Sequence, residues 1–343
     1  MSDGTGTLGI LAGTVTVVVA ALASAILIVA LQPWLKRYAL ANPNARSSHR
    51  APTPQGAGIA VVAATLVAVA AALGFFSFAA LSASPLAAII AAAVVMAAIG
   101  AIDDITPLPA GPRLLLQALV IAGVIYALPD ALRVFPVLPW WLERFLLLIG
   151  GLWFVNLVNF MDGIDWMTVA EVIPLTATLV ALGLARALPT YGTLLALALG
   201  GATIGFAFFN RPTAKVFLGD VGSLPIGLIL GVLLLLVAGY GHLIAAIVAP
   251  LYYLADATIT LLRRFIRRES VWQAHRTHFY QRATDNGFTT MAVVARVFVV
   301  NIGLGALAVM TVVAPGKPSD IAALGGAVIL VAWLLLAFER GKA

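Results

Sequence analysis

The segment Ala91–Gln117, AAAVVMAAIGAIDDITPLPAGPRLLLQ, decides how the chain folds. A strongly apolar run ends in two adjacent carboxylates, Asp103 and Asp104. Pro107, Pro109, Gly111 and Pro112 follow, and a second apolar run starts at Arg113. Two like charges at the lip of an apolar segment are costly to bury. Apolar runs long enough to cross a bilayer, separated by a short polar lip, predict two spanning helices that turn at the membrane surface. The prolines and glycine of the lip keep the two runs from fusing into one helix.

The rest of the chain repeats the pattern. Of its 343 residues, 62% are hydrophobic and only 10% charged, against about 25% charged in soluble domains. That composition excludes a water-soluble globule and predicts an all-α integral membrane protein with about eleven transmembrane helices. The spans are expected near 8–32, 58–80, 85–102, 113–129, 143–160, 167–185, 191–209, 221–239, 243–262, 289–313 and 321–338. They form a single polytopic domain over residues 1–343. The N-terminal stretch lacks a basic leader and a small-residue cleavage site, so its long apolar run reads as the first span. There is no cysteine, which removes disulfide and thiolate chemistry.

Lysine and arginine set the orientation. The loops after helices 1, 3, 5, 7 and 9, with the C-terminal tail, hold 15 of the 20 basic residues. The opposite side has four: Arg133, Arg144, Arg186 and Lys317. The bias predicts an external N-terminus and a cytoplasmic C-terminus.

The same cytoplasmic side collects most of the reactive polar residues. Asp103 and Asp104 sit there, with Asn156, Asn159, Asp162 and Asp165 of NLVNFMDGIDWM and Asp220 of FLGDVGS. Clustered carboxylates repel one another unless a cation lies among them. Oxygen donors without cysteine favour Mg²⁺ or Mn²⁺ over zinc, and Mg²⁺ typically takes one or two protein ligands plus substrate phosphates. The alternative is that each carboxylate caps a helix or pairs with a loop arginine, which is weaker for five acids in three glycine-containing loops on one side. Asp220, between Gly219 and Gly222 at the start of a helix, would set a carboxylate beside free N–H groups that suit a diphosphate. A plain N-cap by Asp220 or Ser223 is the simpler reading. Asp162 and Asp165, three apart, would share a face of a helical turn.

Two further loops carry charge. HRAPTPQGAGIA, from His49, either lines an anion site or is a rigid connector. RRFIRRESVWQAHRTHFYQR, Arg263 to Arg282, has six arginines and two histidines. Its first arginines suit a tether to anionic headgroups. His275 and His278, with Arg276 and Arg282, read as a phosphate or sugar clamp. Asp256 is read as the one acid deep within a span, where acids are functional by default. Arg263 and Arg264 leave a structural ion pair as its alternative role.

The ordered set HRAPTP, GAIDDITPLPAGPRLLLQ, NLVNFMDGID, FLGDVGS and HRTHFYQR resembles the polyprenyl-phosphate N-acetylhexosamine-1-phosphate transferases, over residues 46–282. The resemblance implies transfer of a sugar-1-phosphate from a UDP-N-acetyl sugar to polyprenyl (undecaprenyl) phosphate. UMP is released, with Mg²⁺ or Mn²⁺, at the cytoplasmic face. By motif, Asp220 and Asn159 would ligate the metal, and Phe217 and Asp165 would contact uracil. Arg113 would hold the carrier phosphate, Asp103 and Asp104 would lie beside acceptor and metal, and His275, Arg276 and His278 would contact diphosphate or sugar. Asp162 joins the catalytic set, and His49 and Arg282 the substrate-binding set. The HxxHxYQ form of the last loop, in place of adjacent histidines, resembles the branch that starts O-antigen or capsule synthesis. UDP-GlcNAc and UDP-MurNAc-pentapeptide are the alternative donors. Trp166 stands where glycine is common, which predicts a different local turn. The expected partners are the two substrates and the lipid bilayer, with a homodimer as candidate assembly and no nucleic acid. The rival class is a transporter using intramembrane acids, which such proteins place near the midplane.

Overall fold

A computed structural model describes residues 3–41, 52–75, 84–270 and 275–341. Thirteen helices make up almost all of it: α1 (Asp3–Tyr38), α2 (Gly58–Phe75), α3 (Ser84–Ile105), α4 (Ala110–Ala127), α5 (Trp140–Phe160), α6 (Met167–Leu184), α7 (Thr190–Asn210), α8 (Asp220–Gly239), α9 (Leu243–Val248), α10 (Leu251–Ile266), α11 (Phe279–Asp285), α12 (Thr290–Val313) and α13 (Lys317–Arg340). Two two-residue strands, β1 (Leu40–Ala41) and β2 (Thr53–Pro54), pair antiparallel. The chain is an all-α integral membrane protein. Among the described residues, nine helices are long and apolar enough to cross a membrane: α1, α3 to α8, α12 and α13. In α2 the apolar stretch, Gly58–Gly74, is shorter.

The ninth expected span is broken. Pro250 separates the short α9 from α10, and it has no N–H to continue a helical ladder. α10 is two-faced: Tyr252, Tyr253, Asp256, Ala257, Thr260 and Leu261 are buried, whereas Leu262, Phe265 and Ile266 are exposed.

α8 is the central post, buried along nearly its whole length against α3, α5, α2 and α9. Glycines let the backbones touch. A Cβ at Gly100 of α3 would lie 2.2 Å from the Asp220 carbonyl oxygen, and one at Gly58 of α2 would lie 2.2 Å from Gly222 Cα. On α7, Gly201 and Gly205 meet Val17 and Ala21 of α1 in the same way. Small residues four apart are the usual means of close helix packing in a bilayer, where apolar burial gives no driving force between helices. The consequence for function is local: the start of α8 is pressed against the end of α3 and the start of α2.

Glu171 is a second acid inside a span, beside Asp256. It is buried in α6, and Asn301 of α12 donates Nδ2 to its Oε2 at 2.7 Å and to the Ala170 carbonyl at 2.9 Å. The expected pairing of Asp256 with Arg263 or Arg264 does not occur. Arg263 bonds Glu339 at 3.0 Å and Arg264 bonds Glu269 at 2.8 Å.

Candidate active site

One end of the bundle gathers the polar helix termini. The last turn of α3 brings Asp103 and Asp104, which point apart because consecutive residues on a helix are rotated by about 100°. Asp103, with only 5% of its side chain exposed, accepts from Arg113 Nη1 at 2.9 Å and from the Leu108 N–H at 2.7 Å. The proline-stiffened turn thus folds back so that the first turn of α4 neutralises the end of α3. Asp104 reaches the other way. Its two oxygens accept from the backbone N–H groups of Asp220 and Val221, at 2.9 and 3.0 Å, and Gln55 Nε2 donates to Oδ1.

This corrects two readings of FLGDVGS. Neither Asp220 nor Ser223 caps α8, and its first N–H groups are not open to a diphosphate. Asp104, from a different helix, fills that position, where a carboxylate is favoured by the unpaired N–H groups and the helix dipole. Gly219 takes φ +77°, and a side chain there would strike the Asp104 carboxylate. The sequence reading missed Gln55, although it stands beside the GAG run in HRAPTPQGAG. Gly56 adopts φ +104° there, and Gly56 and Ala57 both donate their N–H to the Phe217 carbonyl. The loop of residues 53–58 and the segment before α8 are therefore one ledge, and half-buried Phe217 sits on it.

Asp220 and Asn159 meet. Asn159 Nδ2 donates to Asp220 Oδ1 at 2.7 Å and to Ser223 Oγ at 2.9 Å. Asp103 and Asp104 are both close enough to act on the Asp220 carboxylate. Beyond α5 the chain makes a tight turn, not a helix, so Asp162 and Asp165 do not share a helical face. Asp162 accepts from Thr168 Oγ1. Burial pushes its carboxyl up to about 7, and the charges of Asp104 and Asp165 add to the effect. Asp165 accepts from the Ala214 N–H at 3.0 Å, and so ties the turn to the loop after α7. Trp166 closes the turn at φ +62°, a left-handed conformation in which glycine is the relaxed choice. Its N–H donates to Asn210 Oδ1 and its Nε1–H to the Ala207 carbonyl, at 2.9 and 2.6 Å, which offsets the strain.

The histidine loop docks on this turn. Tyr280 Oη donates to the Phe160 carbonyl at 3.1 Å, and a Cβ on Gly163 would lie 2.1 Å from that hydroxyl. His275 and His278 precede α11, yet their rings stack at 5.0 Å, and His278 also stacks on Tyr280 at 5.7 Å. His278 is 2% exposed, so the partly exposed His275 is the outward ring of the stack. Arg276 pairs with Asp285 at 3.0 Å. Arg282 is turned to α13, where it bonds Glu339 at 3.2 Å. His49 lies outside the described residues.

Among the described residues, no group of three histidine, aspartate or glutamate side chains is arranged to hold a metal ion. The oxygen donors that are present still fit a hard cation. Asp220 and the Asn159 amide converge, and further carboxylates crowd them with Arg113 as the nearby paired cation. A cation that keeps waters and completes its shell with substrate phosphate oxygens needs no more protein ligands than these.

Residues 86–238 match the family described as Glycosyl transferase family 4. A probable undecaprenyl-phosphate N-acetylglucosaminyl 1-phosphate transferase of Bacillus subtilis is 27% identical over 80% of this chain and 79% of its own. Phospho-N-acetylmuramoyl-pentapeptide-transferases of Brachyspira hyodysenteriae and Gluconacetobacter diazotrophicus are 26% and 31% identical. Those two matches cover 46% and 44% of this chain and 44% and 45% of the relatives' own lengths. Over these residues the chain is similar to Glycosyl transferase family 4 and to the sugar-1-phosphate transferases just named.

The matched stretch contains Asp103, Asp104, Arg113, Asn159, Asp162, Asp165, Phe217 and Asp220. The ledge of residues 53–58 and the His275–Arg282 loop lie beyond it, and both are joined to it by the hydrogen bonds above.

Proposed function

We propose that the protein transfers an N-acetylated sugar-1-phosphate from a UDP-sugar to polyprenyl phosphate and releases UMP, as the initiating step of a cell-surface glycan such as O-antigen or capsule. The observation that carries this reading is the convergence of Asp220, Asn159, Asp104 and Asp103 at one end of the bundle, with Arg113 against them. Asp220 and Asn159 would hold Mg²⁺ or Mn²⁺, which when bound neutralises charge on the diphosphate.

A phosphate oxygen of the carrier attacks the β-phosphorus of the UDP-sugar in line. The bond from that phosphorus to the bridging oxygen breaks, and UMP leaves with the oxygen. A phosphomonoester has a second pKa of about 6, so the carrier is ionised near neutral pH and no strong base is required. Asp104 fixes the start of α8 and hence the position of Asp220. Arg113 meets the carrier phosphate by exchanging part of its bond to Asp103. Phe217 and Asp165 receive the uracil, and His275 faces the sugar or diphosphate.

A cavity of about 300 Å³ between α4, α5, α8, α9 and α10, lined by Ile121, Phe154, Val155, Gly227, Gly231 and Leu254, among others, offers an apolar bed for the isoprenoid tail. The active site faces the cytoplasm of a bacterial inner membrane in this reading, in keeping with the basic loops at that end. The transporter alternative rests on intramembrane acids, and both such acids are engaged: Glu171 with Asn301, Asp256 with His278 and Tyr252.

Purified protein in detergent, given Mg²⁺, polyprenyl phosphate and a panel of UDP-N-acetyl sugars that includes UDP-GlcNAc, is expected to release UMP with at least one donor. No release from any of them would overturn the reading.

A further inference from the structure

We propose that Asp256 is a positioning residue for the histidine loop: it fixes His278 as the Nδ1–H tautomer and, through the ring stack, sets the orientation of His275. The inference rests on the reading that this loop meets the substrate. Asp256 is completely buried in α10. Its Oδ1 accepts from the Phe279 N–H at 3.0 Å, lies 3.2 Å from His278 Nδ1, and is 3.4 Å from Thr260 Oγ1. Its Oδ2 accepts from the Tyr280 N–H at 3.1 Å and from Tyr252 Oη at 3.1 Å.

Each oxygen thus takes a backbone N–H, a group that only donates. The Gln281 N–H faces the His278 side chain in the capping box of α11 but makes no cap hydrogen bond to it, so His278 Nδ1 carries the hydrogen toward Asp256, and the lone pair is left on Nε2 at the opposite edge of the ring. The ring cannot turn freely, because it is stacked between His275 and Tyr280, and Tyr280 is itself bonded to the Phe160 carbonyl. One carboxylate therefore holds the ring, the backbone on its C-terminal side and a neighbouring tyrosine together. The arginines about two turns along α10 are committed to Glu339 and Glu269, so the donors to Asp256 come from the loop and from its own helix.

A seal for the start of α11 would need the backbone bonds alone; a positioning role needs the imidazole bond as well. Protein labelled with ¹⁵N at its four histidines separates the two. In the wild type the signal removed by His278→Gln, a variant used only to assign it, is expected to be the Nδ1–H tautomer. In Asp256→Asn that signal shifts to the Nε2–H or a mixed form. Loss of the hydrogen-bond partner of a metal-bound imidazole typically costs about 10- to 100-fold, and a loss of that order is expected here in kcat for UMP release, with the KM for the UDP-sugar changed by less than roughly threefold. Tyr252→Phe removes a donor to Asp256 that does not touch His278 and should leave kcat near wild type. An Nε2–H tautomer in the wild type overturns the proposal. So does an unchanged tautomer in a folded Asp256→Asn protein, or an equal loss in Tyr252→Phe. Should the wild type release no UMP, the catalytic reading falls, and the tautomer result still decides the role of Asp256.

Discussion

Adjacent residues Asp103 and Asp104 do different work, and the difference follows from their directions on one helix turn. Asp104 satisfies two N–H groups at the start of α8, whereas Asp103 holds Arg113. Removing a helix cap costs about 0.5–2 kcal/mol. Asp104→Ala should lower stability by that order in a thermal melt in detergent, and Asp103→Ala by less; equal losses would argue against the division. Asp162 adds a pH dependence. Its folded pKa, pushed up to about 7, lies above its ordinary value of 3.8, so the folded form binds this proton more tightly than the unfolded chain. The stability from this group is complete below about 4 and is lost as pH rises through about 7. A divalent cation opposes that loss above pH 7 by favouring the charged carboxylates. Mg²⁺, compared with EDTA, should therefore raise the melting temperature more at pH 8 than at pH 6, and the difference should shrink in Asp162→Asn. A pH-independent Mg²⁺ effect would count against this account. The sequence makes the cluster of acids plain, since five aspartates recur at one side of the spans. Their partners are hidden in it: Asp104 and Val221 are 117 residues apart, and Glu171 passes unnoticed inside an apolar run whose polar partner, Asn301, lies in α12.

At the scale of elements, the site depends on how closely helices approach. Gly58 and Gly222 meet where α2 and α8 cross, and neither accommodates a Cβ without backbone movement. Overpacking costs typically about 1–3 kcal/mol, so Gly222→Ala should lose stability on that order and reduce activity as Gln55 and Asp104 separate. Gly74→Ala, near the far end of α2 with nothing within 4 Å, should be neutral or gain about 0.5–1 kcal/mol, the usual cost of glycine inside a helix. Similar melts for the two variants would contradict the packing argument. The helices themselves are legible as apolar runs of spanning length. The break at Pro250 is not, because a proline near the edge of an apolar run does not reveal whether the run kinks or stops. The turn at residues 161–166 also escapes periodicity: Asp162 and Asp165 have helical spacing, but the chain has left α5 and reverses through a left-handed Trp166.

For the molecule as a whole, most of the basic residues and the carboxylate cluster occupy the same end, which in the orientation argued from charge is the cytoplasmic one. The absence of cysteine makes this testable with single introduced thiols. Val137, 92% exposed in the loop before α5, and exposed Lys215, in the loop before α8, lie at opposite ends. A membrane-impermeant maleimide should label Val137→Cys in intact cells and Lys215→Cys only after permeabilisation, and the reverse pattern would invert the topology. The central claim is that the Asp220–Asn159 pair forms a cation-dependent sugar-phosphate transfer site, and the most direct measurement is a Mg²⁺ titration of UMP release by the wild type and by Asp220→Ala. The account predicts Mg²⁺-dependent release by the wild type and none from a folded Asp220→Ala protein. Retained Mg²⁺-dependent release in Asp220→Ala would contradict it.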